Sequence, residues 1–362
     1  MDLSPSELIR YQKQIVLPNI GREGQLRLKK ARVLCIGAGG LGCPLLLYLA
    51  AAGIGTIGIV DDDRISESNL HRQILYRTQD IGQLKIIIAA KTLSALNPEI
   101  QINTYPVRLE SHNAPALFAD HDIVVDGTDN RKARYILNQT SLLQQKPWLF
   151  ASVEGLAAQV GFFSGEGGPC YQCLFPDKDV MRPTCQENGI LGVIPAMVAN
   201  IQATEVLKYL LGLPVSLLNT ILLYDAERLN FKKINLSADP NCVACSKNKG
   251  SNQMNVEQEV HIPEMTLSEL YALRETTPDL QLIDVRSPME HEQYNIGGVL
   301  RPLDISLNSA VLTGSLAEFD PEKLTVVYCR AGKRSHVAAQ ILLNAGFKQV
   351  QQLKGGLNGA SI

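Results

Sequence analysis

The sequence predicts a two-domain α/β protein: an open, doubly wound sheet whose strand pairing becomes mixed, followed by a smaller α/β domain. Three observations carry that prediction. The chain has 362 residues, enough for about two domains of ordinary size. Short, wholly apolar runs alternate with helical ones, the pattern of parallel strands covered by helices on both faces. Residues 246–259, SKNKGSNQMNVEQE, are polar and hold Gly250, as expected of a linker between independently folded units. The first domain is therefore expected over residues 1–245 and the second over 260–362.

Taken in order, residues 33–36 (VLCI) read as a buried strand, 43–52 as a helix, 56–60 as a second strand, 85–96 as a helix and 123–126 (IVVD) as a later strand. Strand-like runs at 158–163 and 220–235, with a helical stretch at 195–211 between them, extend the sheet with mixed pairing. In the second domain, 282–285 and 325–328 read as parallel-type strands and 333–345 as an amphipathic helix. Residues 33–60 carry no charge and could be taken for a membrane span. Pro44 and the glycines at 37, 39, 40, 42, 53, 55 and 58 divide that window into strand, turn, helix, turn and strand instead.

Composition narrows the class. Lys and Arg number 34 against 36 Asp and Glu, a net charge of -2, and 45% of residues are apolar, so no nucleic-acid footprint stands out. The start, MDLSP, lacks the basic and apolar parts of a secretory signal, which makes the cytoplasm the expected location, with no membrane partner. Eight cysteines are too few for a disulfide scaffold at this length, so close pairs are read first as metal or redox sites.

Gly37-Ala38-Gly39-Gly40-Leu41-Gly42 lies between an apolar strand and a helix, where backbone N–H groups and the helix dipole can hold phosphate. The second strand ends in Asp61-Asp62-Asp63, placing a carboxylate at the sheet edge where a ribose hydroxyl binds. A nicotinamide dehydrogenase fits these two features, and glycines that serve only tight packing fit the first. Ser68-Asn69-Leu70-His71-Arg72-Gln73 and Lys85 then place cations close in sequence to the acidic strand end. Such a clamp suits adenylyl transfer, in which charge builds up on a pyrophosphate leaving group. Asp126-Gly127-Thr128-Asp129-Asn130 adds carboxylate that could hold Mg²⁺; the alternative is a solvated loop with Asp129 as a helix cap. Cys170-Tyr-Gln-Cys173 and Cys242-Val-Ala-Cys245 together form the ligand set of a closed, structural Zn²⁺ site, with a redox dithiol as the alternative. Cys35 and Cys43 read as core residues.

Together, the glycine loop, Asp61, the 68–72 run, Lys85, Asp129-Asn130 and the paired Cys-x-x-Cys motifs resemble the MoeB/ThiF family, bacterial relatives of ubiquitin-activating enzymes, over nearly all of the first domain. The resemblance implies a Rossmann-like adenylation domain that binds MgATP and adenylates the C-terminal glycine of a small ubiquitin-like sulfur carrier ending in Gly-Gly. Carried over by position, Gly40 lies against the phosphates, Asp61 holds the ribose, Arg72 and Lys85 contact phosphate, and Asp129 serves Mg²⁺; Ser68, Asn69, Leu70, His71 and Asn130 complete the nucleotide site. The family's second arginine near the start, which reaches the partner's ATP site in a homodimer, is replaced here by Lys13 in Arg10-Tyr11-Gln12-Lys13-Gln14, a point charge in place of a fork.

Two further cysteines belong to the sulfur chemistry. Cys185 lies in a polar loop-like segment, 183–189, and the family resemblance gives it either a thioester or a disulfide with the carrier. Cys329-Arg330-Ala331-Gly332-Lys333-Arg334 follows an apolar strand and leads into a helix, so its sulfur is expected in a ring of backbone N–H groups. A Cys-x5-Arg phosphatase loop would need arginine at Ser335. The shorter ring ending at Arg334, with Asp284-Val285-Arg286 upstream, resembles rhodanese-like sulfurtransferases over most of the second domain, though the closing Gly355-Gly356-Leu357 lacks a following tryptophan, so a shortened last helix is expected. The joint expectation is an adenylyltransferase and sulfurtransferase in one chain, using ATP, Mg²⁺ and structural Zn²⁺. A cysteine desulfurase or thiosulfate would supply the sulfur, and the carrier would serve molybdopterin synthesis or else thiamine, thio-tRNA or cysteine synthesis. The rival from another class is a nucleotide-binding scaffold without turnover.

Overall fold

The computed structural model describes residues 2–176, 189–246, 262–306, 309–312 and 316–359. These fall into two compact units, the described residues up to 246 in one and those from 262 onward in the other. The first is built on an eight-stranded sheet. Its strands are β1 (Arg32–Ile36), β2 (Thr56–Val60), β3 (Gln101–Tyr105), β4 (Ile123–Asp126), β5 (Trp148–Glu154), β6 (Ala157–Phe163), β7 (Thr220–Asp225) and β8 (Asn230–Asn235). Their spatial order is β3-β2-β1-β4-β5-β6-β7-β8. From β3 to β5 every pairing is parallel, and from β5 to β8 every pairing is antiparallel, the mixed sheet that the sequence predicts.

Burial on both faces explains why β1 has no polar side chain after Arg32. Val33 and Cys35 pack into one core cluster, Leu34 and Ile36 into the other. The helix Gly42–Ala52 follows β1 directly and ends on Gly53, whose φ of 84° closes the helix in the left-handed region. Three polar side chains converge there: Gln25 Nε2 donates to Ala52 O at 3.0 Å, while Asn97 Nδ2 donates to Ala50 O at 2.7 Å and to Tyr11 Oη at 2.8 Å. The uncharged window 33–60 is thus strand, helix and strand, and no described helix is long and apolar enough to cross a membrane.

The sequence reads 220–235 as one strand-like run, but the chain turns back between Asp225 and Asn230. The Asp225 carboxylate accepts the backbone N–H groups of Glu227 and Arg228, and Leu229 takes a φ of 48°, so the run becomes a hairpin.

The second unit holds a wholly parallel five-stranded sheet. Its strands, β9 (Glu264–Met265), β10 (Gln281–Asp284), β11 (Val299–Leu300), β14 (Thr325–Tyr328) and β15 (Val350–Leu353), lie in the order β11-β10-β14-β15-β9. A separate hairpin joins β12 (Leu303–Ser306) to β13 (Ser309–Leu312). The helix Lys333–Asn344 follows β14, and Gly356–Gly359 form a 3₁₀ turn.

Candidate active site and cysteine centres

The sheet's strand order reverses at β1, which pairs with β2 on one side and β4 on the other; the crevice at the carboxyl ends of these strands is where doubly wound sheets bind ligands. The glycine loop leaves β1 at that point. Gly37 has a φ of 93°, and a Cβ there would sit 2.9 Å from Gly127 O, so the loops after β1 and β4 meet backbone to backbone. A Cβ on Gly42 would lie 2.0 Å from Gly37 O. Gly39 and Gly40 are different: their Cβ positions meet only side chains, Gln73 at 3.7 Å and Arg72 at 3.4 Å. Two glycines therefore let the loop close on itself, and the next two leave its outer face open beside Arg72.

Asp61 is fixed by the same loop. Its Oδ2 accepts Ala38 N–H at 2.7 Å and its Oδ1 accepts Asp63 N–H at 2.8 Å, while burial pushes the carboxyl upward from its ordinary value against these donors and the Lys85 cation. The other side of the Ala38 peptide is held too, since Tyr76 Oη and Cys43 Sγ both donate to Ala38 O. Burial pushes the Cys43 thiol up to about 12 and Cys35 higher still, which leaves both as inert core thiols, as expected from the sequence.

The expected cations are placed unequally. Arg72 Nη1 takes Ser68 O at 3.1 Å and lies 2.9 Å from His71 Nε2, so the 68–72 run folds onto its own arginine. Asn69 is tied to Ser66 and Gln73, and Leu70 packs against the core. Lys85 is buried, and its Nζ pairs with Asp63 at 2.7 Å. Lys13 stands exposed in the helix Gln12–Ile15.

After β4, Asp126 and Asp129 separate in role. Asp126 is fully buried, bound by Arg134 Nε at 2.8 Å and by Thr128 through both N–H and hydroxyl, whereas Asp129 is exposed. The carboxylate open to a cation is therefore Asp129. The helix cap considered for Asp129 falls instead to Asn130, whose side chain accepts Lys132 N–H at 2.9 Å at the start of the helix Arg131–Gln144. Sequence reading misses the Asp126–Arg134 pair and Tyr76; an aspartate ending a wholly apolar strand is the one signal that a buried counter-charge must exist.

The four paired cysteines converge. Cys170 Sγ lies 3.9 Å from Cys173 Sγ and 3.7 Å from Cys242 Sγ, with Cys173 and Cys245 3.4 Å apart. A tetrahedron with metal–sulfur bonds of about 2.3 Å has edges of about 3.8 Å; these three separations lie within a few tenths of an ångström of that and all four sulfurs lie within 4.8 Å of one another, a set that suits a thiolate-bound Zn²⁺. Asp239 N–H and Asn138 Nδ2 donate to Cys173 and Cys170 sulfur, as second-layer donors to bound thiolates do.

In the second unit Cys329 directly follows β14, buried, with its Sγ accepting Gly332 N–H at 3.1 Å and donating to Ser335 Oγ at 3.5 Å. Gly332 adopts a φ of 84° as the cap of the helix Lys333–Asn344, which turns its N–H back toward the sulfur. The expected ring of N–H donors is represented by this one bond among the described residues. Arg334 turns away to fork onto Glu290, both bonds 2.7 Å, and Arg330 and Ala331 are exposed. Cys185 lies outside the described residues.

A switch-point crevice with a glycine loop, an aspartate bonded to that loop and an exposed carboxylate, in a chain that also carries a buried cysteine in the loop before a helix, suits a nucleotide-using group-transfer enzyme with a sulfur-handling module. Comparison specifies it further. The ThiF family matches residues 11–244 and the rhodanese-like domain residues 266–361. The chain is 46% identical to the sulfur carrier protein adenylyltransferase of Thermus thermophilus, covering 68% of this chain and 93% of that one. It is 37% identical to the probable adenylyltransferase/sulfurtransferase MoeZ of Mycobacterium tuberculosis, covering 98% and 93%. The crystal structure of E. coli MccB superposes with a TM-score of 0.58 at 22% identity, covering 69% of this chain and 76% of that one, a likeness of fold. The chain belongs to the ThiF family and ends in a rhodanese-like domain; it is an adenylyltransferase joined to a sulfurtransferase that uses ATP.

Proposed function

We propose that this enzyme adenylates the C-terminal glycine of a ubiquitin-like sulfur carrier with MgATP and then converts it to a thiocarboxylate, serving molybdopterin synthesis. The observation that carries the reading is the glycine loop with Arg72 against its open face and Asp61 bound to its Ala38 N–H, at the sheet's switch point. On this reading Asp61 holds the ribose, Gly40 faces the phosphates, and Arg72 and Lys85 offset charge on the departing pyrophosphate as the carrier carboxylate attacks the α-phosphorus. Ser68, Asn69, Leu70, His71 and Asn130 shape the pocket. Lys85 reaches phosphate by exchanging its Asp63 partner for the nucleotide. Asp129 would hold Mg²⁺, which supplies charge neutralisation at the phosphates. The four thiolates would hold Zn²⁺, a closed shell with no open position for substrate.

The second step uses a persulfide on Cys329, formed when its thiolate takes the outer sulfur of thiosulfate, releasing sulfite, or of a desulfurase persulfide, releasing that enzyme's thiol. The terminal persulfide sulfur attacks the acyl adenylate and AMP leaves. Cys185 then attacks Cys329 sulfur, forming a disulfide and releasing the thiocarboxylate, and an external dithiol reduces the disulfide; a Cys185 thioester with the carrier is the other order of events. Domain bounds of 1–245 and 260–362 around the linker 246–259 suit this division. Lys13, in an exposed segment flanked by the exposed apolar Ile9, Val16 and Leu17, supports a homodimer in which it reaches the partner's nucleotide. Among the described residues no helix is long and apolar enough to cross a membrane; neither a nucleic acid nor a membrane is proposed as a partner, and the cytoplasm is the proposed location.

Intact mass spectrometry of each Gly-Gly-ended carrier of the same cell, after incubation with the enzyme, MgATP and thiosulfate, tests the reading. The carrier of molybdopterin synthesis exchanges one terminal oxygen for sulfur. Sulfur appearing only on another carrier overturns the pathway, and the absence of any adenylate overturns the whole reading in favour of a scaffold.

A further inference from the structure

The helix Arg131–Gln144 touches both the nucleotide side of the first unit and its cysteine clip, through two buried polar residues one turn apart. Arg134 binds Asp126 Oδ2 at 2.8 Å, Thr128 O at 3.0 Å and Ala151 O at 3.0 Å. It thereby ties Thr128, the residue before Asp129, to the end of β4. Asn138 lies four residues on, 1% exposed, with its Nδ2 3.6 Å from Cys170 Sγ and its Oδ1 accepting Tyr171 N–H at 2.9 Å. Residues at this spacing share one face of a helix, and a helix moves as a rigid bar over such a distance. Tyr135 adds a third bond on this side, its hydroxyl donating to Phe175 O at 2.9 Å.

We propose that this helix couples the cysteine clip to the loop that carries Asp129, with Arg134 and Asn138 as positioning residues, so that a filled clip and bound MgATP each tighten the other. The proposal rests on the reading of the clip as a Zn²⁺ site and of Asp129 as part of the nucleotide site. A filled clip fixes Cys170 and hence Asn138; the helix start and the Arg134 guanidinium are then held against Asp126 and Thr128, and Asp129 is presented with little freedom left to lose. Coupling between sites is reciprocal, so its signature appears at the metal as well as at the nucleotide.

The test uses the full zinc-loaded chain and follows Zn²⁺ transfer to a chromogenic chelator with and without saturating MgATP, with nucleotide binding measured on the same sample by calorimetry. MgATP is expected to slow Zn²⁺ release by about fivefold or more, at the lower end of ordinary coupling. Asn138→Ala is expected to release Zn²⁺ faster and to lose the nucleotide effect. Arg134→Lys, which keeps the charge but not the fork, is expected to retain the metal, lose the effect and raise the KM for MgATP more than it lowers kcat. Release at equal rates with and without MgATP in the unaltered chain overturns the coupling even if both variants fail to fold. A chain that takes up no zinc, or binds no MgATP in the calorimeter, overturns instead the reading on which the coupling rests, and the two failures are thereby distinguished.

Discussion

Gly42 and Gly40 stand in one loop and respond differently to a single methyl group. On Gly42 the added carbon would lie 2.0 Å from a backbone oxygen, so Gly42→Ala is expected to cost about 3 kcal/mol by forcing the start of the helix Gly42–Ala52 away from the loop. On Gly40 it meets the flexible Arg72 stem at 3.4 Å and Pro195 at an ordinary 3.6 Å, so Gly40→Ala is expected to melt near the unaltered temperature while raising the KM for ATP. Thermal unfolding paired with ATP–pyrophosphate exchange separates them; equal loss of stability in both would contradict the assignment of the open face to Gly39 and Gly40. These glycines, the paired cysteines and Asp61 are legible in the sequence because their meaning is local, set by spacing within a loop or a Cys-x-x-Cys turn. Arg134 and Asn138 are not, because what they bind, Asp126 and Cys170, is brought to them only by the packing of β4 and of the segment after β6.

Among elements, the short helix Pro288–Gln293 braces the cysteine loop of the second unit. Its Ser287 and Glu290 form a reciprocal cap, and the same Glu290 forks onto Arg334. The Arg334 bonds lead in holding the Glu290 carboxyl down at about 2, below its ordinary 4.5. A depressed carboxylate contributes in full above the unfolded value and loses that contribution as pH falls toward the folded one. Glu290→Gln is therefore expected to cost about 1 kcal/mol at neutral pH, a partly exposed pair, with the difference shrinking from about pH 4.5 toward 2. Chemical denaturation across that range checks it, and a pH-independent difference would contradict the ion pair. One strand away, Asp284 is wholly buried; although burial raises its pKa, the bonds from Arg286 and His291 outweigh that, and the carboxyl stays below its ordinary value. Asp284→Ala strands the buried Arg286 and is expected to cost about 3 to 5 kcal/mol, read in the same experiment. A cost below that of Glu290→Gln would contradict it. The apolar strands β1, β2, β4 and β14 are plain in the sequence because both faces of each are buried. The turn at 226–229 is hidden inside an unbroken strand-like run because Asp225 makes it through side-chain bonds, without glycine or proline.

Across the whole molecule, the proposed labour is divided between two units that share one chain. The first holds the glycine-loop crevice and the four-cysteine clip, which joins segments 72 residues apart. The second holds Cys329 in a loop shaped by Gly332 and Arg334. The resemblance of each half to a known family is legible in its motifs, whereas the engagement of Arg334 by Glu290 is not, since 44 residues separate them. The most direct measurement of this division is Cys329→Ala in the full chain, assayed for carrier-dependent ATP–pyrophosphate exchange and, in parallel, for carrier thiocarboxylate by intact mass. Unchanged exchange and no thiocarboxylate are expected; loss of both, or thiocarboxylate formed without Cys329, would contradict this division.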